Sequence, residues 1–193
     1  MTEPRTSTAV EWLAAAAPGP RSFRLEWERN PFQTLLLPAG RLWDVVLTPG
    51  RIGYPAFGVL TRRIDAPGPV LADLGGTRTG FFVPPGTAGR WAGSAASGAG
   101  RGTWIVVPCP GRAVGGTRWL VPPDGGGALT DPVLLEHVLH EVAALPAGDD
   151  AAPQIRAPTP SWPLTSACSA GVSGVCAGDT RPWWFLSVGL TEA

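Results

Sequence analysis

Leu37-Pro38-Ala39-Gly40-Arg41-Leu42-Trp43-Asp44-Val45-Val46 decides how this chain is read. Pro38-Ala39-Gly40 is a turn signal, and the apolar run that follows, continuing to Leu47, has the length and β-branched content of a strand buried on both faces. Asp44 is the only acid in it. A carboxylate inside such a run is either a metal ligand or a structural group held by a nearby cation, and Arg41 is close enough in sequence to be that cation.

On either side of this stretch the pattern alternates. Thr34 to Leu37 reads as a strand before the turn, and Leu42 to Leu47 as the strand after it. Upstream, Ala9 to Ala17 carries Val10, Trp12 and Leu13 and stops at Pro18-Gly19-Pro20, which predicts a short helix. Phe23 to Arg29 has helical spacing and ends before Asn30-Pro31. Downstream, Pro49 to Arg63 predicts a helix weakened by Gly53, and Pro69 to Leu74 with Thr79 to Val83 predict a hairpin around Gly75-Gly76.

Residues 88 to 102 hold Gly and Ser runs and read as a mobile loop or a worn-down helix. Thr103 to Val107 and Thr117 to Val121 read as strands. The strongest helix signal comes next: Asp131 as cap, Pro132 at the first position, and Leu134, Val138, Val142 and Leu145 as one stripe with Leu135 and Leu139 beside it. Strands interleaved with helices and no repeat give an α+β domain over residues 9–146. Residues 147–193 are rich in Pro, Ala, Gly and Ser and read as a separate, largely disordered, loop-rich tail anchored only by Trp162, Trp183, Trp184 and Phe185.

Composition narrows the function classes. The chain has 193 residues, 44% apolar and 16% charged, which suits one domain with a substantial core. All 15 basic residues are Arg, so any anion is met by guanidinium groups and no Lys chemistry is available. Net charge is zero but uneven. Leu47 to Val121 holds eight Arg against Asp65 and Asp73, a balance of +6, and the chain from Pro122 onward balances at −6. A basic middle is either a polyanion-binding surface or a set of scattered, solvated Arg.

Cys109, Cys168 and Cys176 show no zinc spacing and read as free thiols. No apolar run approaches the roughly 18 residues needed to span a bilayer, and Met1 to Thr8 shows no signal pattern, so the expectation is a cytoplasmic chain with no membrane contact.

The opening stretch, together with Gly102 to Pro110 (Gly-Thr-Trp-Ile-Val-Val-Pro-Cys-Pro) and Gly115 to Pro123 (Gly-Gly-Thr-Arg-Trp-Leu-Val-Pro-Pro), resembles the bifunctional DNA primase/polymerase N-terminal domain family of actinobacteria. The resemblance covers roughly residues 9 to 145. It implies an archaeo-eukaryotic primase-like sheet with flanking helices. It also implies nucleotidyl transfer through two divalent metals, held by paired acids on one strand and a third acid on a later one, with a His on the nucleotide phosphate.

This chain departs from that pattern. Two and three residues beyond Asp44 stand Val46 and Leu47, Thr77 to Val83 has no His, and no acid lies in Trp104 to Val107. His137 and His140 belong to the late helix, where a solvated face accounts for them. A two-metal clamp needs several converging carboxylates, so Asp44 alone leaves the metal ligands unknown and polymerisation unsupported.

The resemblance then implies a degenerate member acting as a non-catalytic pseudoenzyme that binds nucleotide or single-stranded nucleic acid. Arg78, Arg112 and Arg118 would hold phosphate bidentately, and Trp104 and Trp119 would stack bases; the alternative for both Trp is core packing. No cofactor is expected, and a divalent metal enters only with a residual nucleotidyltransferase activity at Asp44. The competing reading is a protein-interaction or structural remnant that docks on a protein partner through its Trp-bearing tail.

Overall fold

The computed structural model describes residues 3–91, 96–145 and 185–187. The chain opens with helices α1 (Glu3–Ala16) and α2 (Pro20–Arg29). Both start earlier than the apolar spacing implies, because Pro4 and Pro20 sit in the first turns, where a missing N–H removes no helical hydrogen bond. α2 stops at Asn30, which is extended at φ −144°, as the steric demand of Pro31 on the preceding residue requires. Phe23 and Trp27, one turn apart, are buried with ring centroids 4.6 Å apart, and Trp27 Nε1 donates to the Gln33 carbonyl at 3.1 Å.

Strand β1 (Thr34–Pro38) is followed by β2 (Asp44–Pro49), and helix α3 (Gly50–Arg63) leads on to β3 (Val70–Asp73) and β4 (Arg78–Val83). β2 begins two residues later than the apolar run implies, and Leu42 is exposed. The reason lies in Gly40, whose N–H bonds to the Trp43 carbonyl at 2.8 Å and so draws residues 40–43 into the turn. The predicted β3–β4 hairpin is present, with Val70 opposite Phe81 and Ala72 opposite Thr79. In its turn Asp73 accepts from the Thr77 hydroxyl and, at 2.7 Å, from the Thr77 N–H.

Residues 88 to 102 are neither a mobile loop nor a worn helix where they are described. Ala88–Arg90 makes a single 3-10 turn and Ser97–Ala99 is strand β5, pairing Val45 with Ala99. A Cβ on Gly98 would run into the Ala88 carbonyl, so the residue that disguises this segment as a loop is the one that lets strand and turn touch.

β6 (Thr103–Pro108), β7 (Ala113–Val114) and β8 (Thr117–Val121) complete the central strands. The two predicted strands of this region belong to different sheets. β8 joins the six-stranded antiparallel sheet of order β5-β2-β4-β3-β8-β7, whereas β6 pairs with β1. After helix α4 (Pro132–Ala144), strand β9 (Phe185–Ser187) pairs with the other edge of β6. Apart from β9, the predicted tail of 147–193, with Trp162, Trp183, Trp184, Cys168 and Cys176, lies outside the described residues.

Alternation along β2 and β4 divides the core in two. Val46, Phe81 and Val83 meet Ile52, Ala56 and Leu60 of α3 and Leu135, Val138, Leu139 and Val142 of α4. Val45, Leu47 and Phe82 face the other way, towards Leu13 of α1, Trp27 of α2, Leu37 of β1 and Ile105 of β6. The result is an α+β layering with a sheet buried on both faces.

The α4 stripe is rotated from its predicted setting. Leu135 and Leu139 are buried, Leu134 is half-buried, and Leu145, past the helix end, is 62% exposed. The cap is as read: Asp131 Oδ1 accepts from the Leu134 N–H at 2.8 Å. Asp131→Ala is expected to cost about 1 kcal/mol, seen as a lower urea midpoint with unchanged slope, because it orphans a first-turn N–H. An Asp131→Ser change that failed to restore most of that loss would discount the cap.

Candidate functional site

Asp44 opens β2 at the point where the Ala39–Gly40 turn, the Ala88–Arg90 turn and the Gly100–Arg101 link meet. Gly40 has φ +86°, and a Cβ there would collide with the Arg101 backbone, so only glycine allows the two segments this close. Asp44 is 1% exposed. Its Oδ2 accepts from the Ala88 N–H at 2.8 Å, and its Oδ1 has no hydrogen-bond partner among the described residues.

Arg41 is not the partner that proximity in sequence suggests. It donates instead to the Ala16 and Ala17 carbonyls, at 3.1 and 3.2 Å, satisfying acceptors left open where α1 ends. The partner of Asp44 is a backbone N–H 44 residues away, which no local pattern announces.

Above the carboxylate lies a cleft of about 370 Å³, walled by Gly40, Pro85, Gly86 and Gly100 with Ala88 and Gly89. Among the described residues, its charged lining groups are Asp44 and Arg101. Among the described residues Arg101 makes no hydrogen bond or ion pair, and it is exposed.

The other predicted residues are distributed as follows. Arg78 opens β4 opposite Pro49, and Arg118 lies on β8 opposite Ala72 of β3. Since Ala72 also pairs with Thr79, the hairpin brings Arg78 and Arg118 to one end of the sheet. There the Arg118 Nη2 donates to the Tyr54 hydroxyl at 3.5 Å, and its Nε is buried without a partner among the described residues. Tyr54 stands in the first two turns of α3, a helix with no acid in its first turn and no side-chain cap. Asp44 is at the opposite end of β2, about 17 Å away by strand rise.

Arg112 is elsewhere, its guanidinium carbon 4.8 Å from the centre of the exposed Phe32 ring. Burial pushes the nearby Cys109 thiol up from its ordinary value, and the Arg112 charge offsets part of that rise. Trp119 packs its ring against Phe82 at 5.5 Å and donates its Nε1–H to the Pro108 carbonyl at 2.9 Å, so this face is occupied by the core. Trp104 is half-buried on β6 opposite Pro38. His137 and His140 are exposed on α4.

Tyr54 and Arg101 carry the site features that sequence reading missed. Tyr54 had one available signal, being the sole tyrosine of the chain. Arg101, between two glycines, had none beyond its charge.

The donor set at Asp44 does not fit the two-metal clamp that the resemblance implies. One carboxylate oxygen is committed to Ala88, the remaining lining residues supply no second acid, and the other charged group is a cation. Among the described residues no group of three or more His, Cys, Asp and Glu is placed to hold a metal ion.

Among the described residues, no helix is long and apolar enough to cross a membrane. No protein-family model, curated protein or solved structure matches the chain.

Proposed function

We propose that this chain is a non-catalytic, primase/polymerase-like domain that binds nucleotide or nucleic acid. The observation that carries the reading is the gathering of the Arg78 and Arg118 strand positions at one end of the sheet, where the Arg118 guanidinium reaches Tyr54 near the N-terminal end of α3. Guanidinium donors and the positive end of a helix dipole both favour phosphate. The resemblance of Leu37 to Val46, Gly102 to Pro110 and Gly115 to Pro123 supports the family, and an α+β arrangement of antiparallel sheets with helices packed on them is compatible with it.

The test is fluorescence anisotropy of a labelled single-stranded DNA oligonucleotide between about 50 and 200 mM salt. Arg118→Gln is expected to weaken binding evenly across sequences and to reduce the salt slope by about 0.7, the share of one phosphate contact on a single strand. Absence of salt-sensitive binding by the unaltered chain sinks the reading. A second reading, a protein-interaction domain, draws on Phe32, which is 62% exposed beneath Arg112.

A further inference from the structure

Strand β6 has two edges, which are paired to different extents among the described residues. β1 lies along one of them from Trp104 to Pro108. On the other, β9 pairs with Thr103, Trp104 and Ile105 and begins at Phe185, one position short of Val106.

The direction of the Val106 backbone follows from a single hydrogen bond. The Ala39 N–H donates to the Thr103 carbonyl at 2.9 Å, so Thr103 points towards the β1 side. In an antiparallel ladder the N–H and C=O of one residue point the same way and those of its neighbours the opposite way. Ile105 and Val107 therefore also face β1, while Trp104, Val106 and Pro108 direct their backbone groups towards the β9 side. Val106 is only 9% exposed, and backbone groups so far from water are almost always paired.

The sequence before β9 supplies a partner of the right length. Continuing the register of Ile105 with Phe185 sets Trp184 opposite Val106, Trp183 opposite Val107 and Pro182 opposite Pro108. Proline has no N–H to give, and the Pro108 carbonyl already accepts from the Trp119 Nε1–H at 2.9 Å, so the ladder has a natural end there. The faces agree as well. Leu37, Ile105 and Val107 are fully buried, which by alternation puts Leu36 and Val106 on the opposite face of the small sheet, where Leu36 is 42% exposed. Position 184 falls on this same face, across Val106 from Leu36, within reach of a cross-strand apolar pair.

We infer that this edge of β6 is a docking site for the chain's own Trp183-Trp184, which continue β9 so that Trp184 exchanges both backbone hydrogen bonds with Val106 and covers the Val106–Leu36 face. The Trp pair of the tail is thereby committed within the chain and not to a partner. The site does not depend on the nucleotide-binding reading, since Arg78 and Arg118 belong to the six-stranded sheet.

The experiment is NMR of the isotope-labelled full chain. Facing residues that exchange no hydrogen bonds bring their Cα atoms closest, so a nuclear Overhauser contact between the Hα atoms of Trp183 and Val107 is expected. The Val106 amide is expected to exchange slowly with solvent. Trp184→Pro is expected to speed that exchange about fivefold or more, the loss of roughly one net hydrogen bond, and to leave the Val46 amide of β2 unchanged.

Absence of the Trp183–Val107 contact, a Val106 amide that exchanges like an exposed one, or an exchange rate indifferent to Trp184→Pro overturns the inference. A mixed sample of labelled and unlabelled chain identifies the source of the strand. Contacts within one chain support the assignment, and contacts found only between chains make a second copy the occupant and overturn it. Should Trp184→Pro fail to fold, the Hα contact in the unaltered chain decides alone.

Discussion

Phe82→Ala is expected to remove about 3–5 kcal/mol of stability, a large part of the 5–15 kcal/mol typical of a domain. Phe82 is fully buried, and its ring is surrounded by Trp43 at 4.6 Å, Trp119 at 5.5 Å and Trp12 at 6.4 Å. These three indoles come from the turn before β2, from β8 and from α1, so the ring joins the helical layer to the central sheet at one point. Each neighbour is itself rigid and anchored in a different element, which limits how far the site can close over the lost volume. Urea unfolding monitored by Trp fluorescence measures the effect. A loss below about 2 kcal/mol would mean that the indoles collapse into the space, and Phe82→Leu is expected to retain much of the stability.

Gly53→Ala is the second, and its sign is opposite to the usual rule. In an exposed helix interior the change gains roughly 0.5–1 kcal/mol. Here a Cβ would collide with the hydroxyl oxygens of Thr79 and Thr48 and lie 2.9 Å from the Thr79 Cβ. Those hydroxyls are buried and share a 2.6 Å hydrogen bond between β2 and β4. Overpacking of about 1–3 kcal/mol, with loss of a bond worth about 1 kcal/mol, outweighs the helical gain, and a net loss of about 2 kcal/mol is expected. Thr79→Ala made together with Gly53→Ala should recover more than the two single effects predict, since the collision and the bond involve the same oxygen. Strict additivity would sink the account.

What could be read from the sequence is what has a period. The β3–β4 hairpin, the Asp131 cap and the α4 helix follow from alternation, turn residues and a local carboxylate, all within a few positions of one another. β5 was hidden because Ser97-Gly98-Ala99 has almost no side chain from which to show a period, although glycine is required there.

Little of the candidate site's geometry was legible in the sequence. Arg78 and Arg118 do converge, but through β3, which lies between their strands. Trp119 shows the opposite: an aromatic on a basic strand reads as a stacking platform, yet its Nε1–H is bound to Pro108 and its ring to Phe82. For Asp44, the local cation Arg41 was the nearest choice in sequence, and the tertiary fold sent it to α1 instead. The partners that Arg41 and Trp119 take are 11 or more residues away in the chain, beyond the reach of a local pattern.

The pairing of β1 with β6 sets an order of events during synthesis. Thr34 meets Pro108 and Pro38 meets Trp104, so the strand made early has its hydrogen-bonding partner only after some seventy more residues are translated. At about 5–20 residues per second the nascent strand Thr-Leu-Leu-Leu-Pro waits roughly 4 to 14 seconds, with its leucines unpaired just beyond two helices that emerge first. The strand Thr34–Pro38 is therefore exposed as an apolar segment before its β6 partner exists, and a pause in translation between the two strands is expected to lengthen that exposure and favour aggregation.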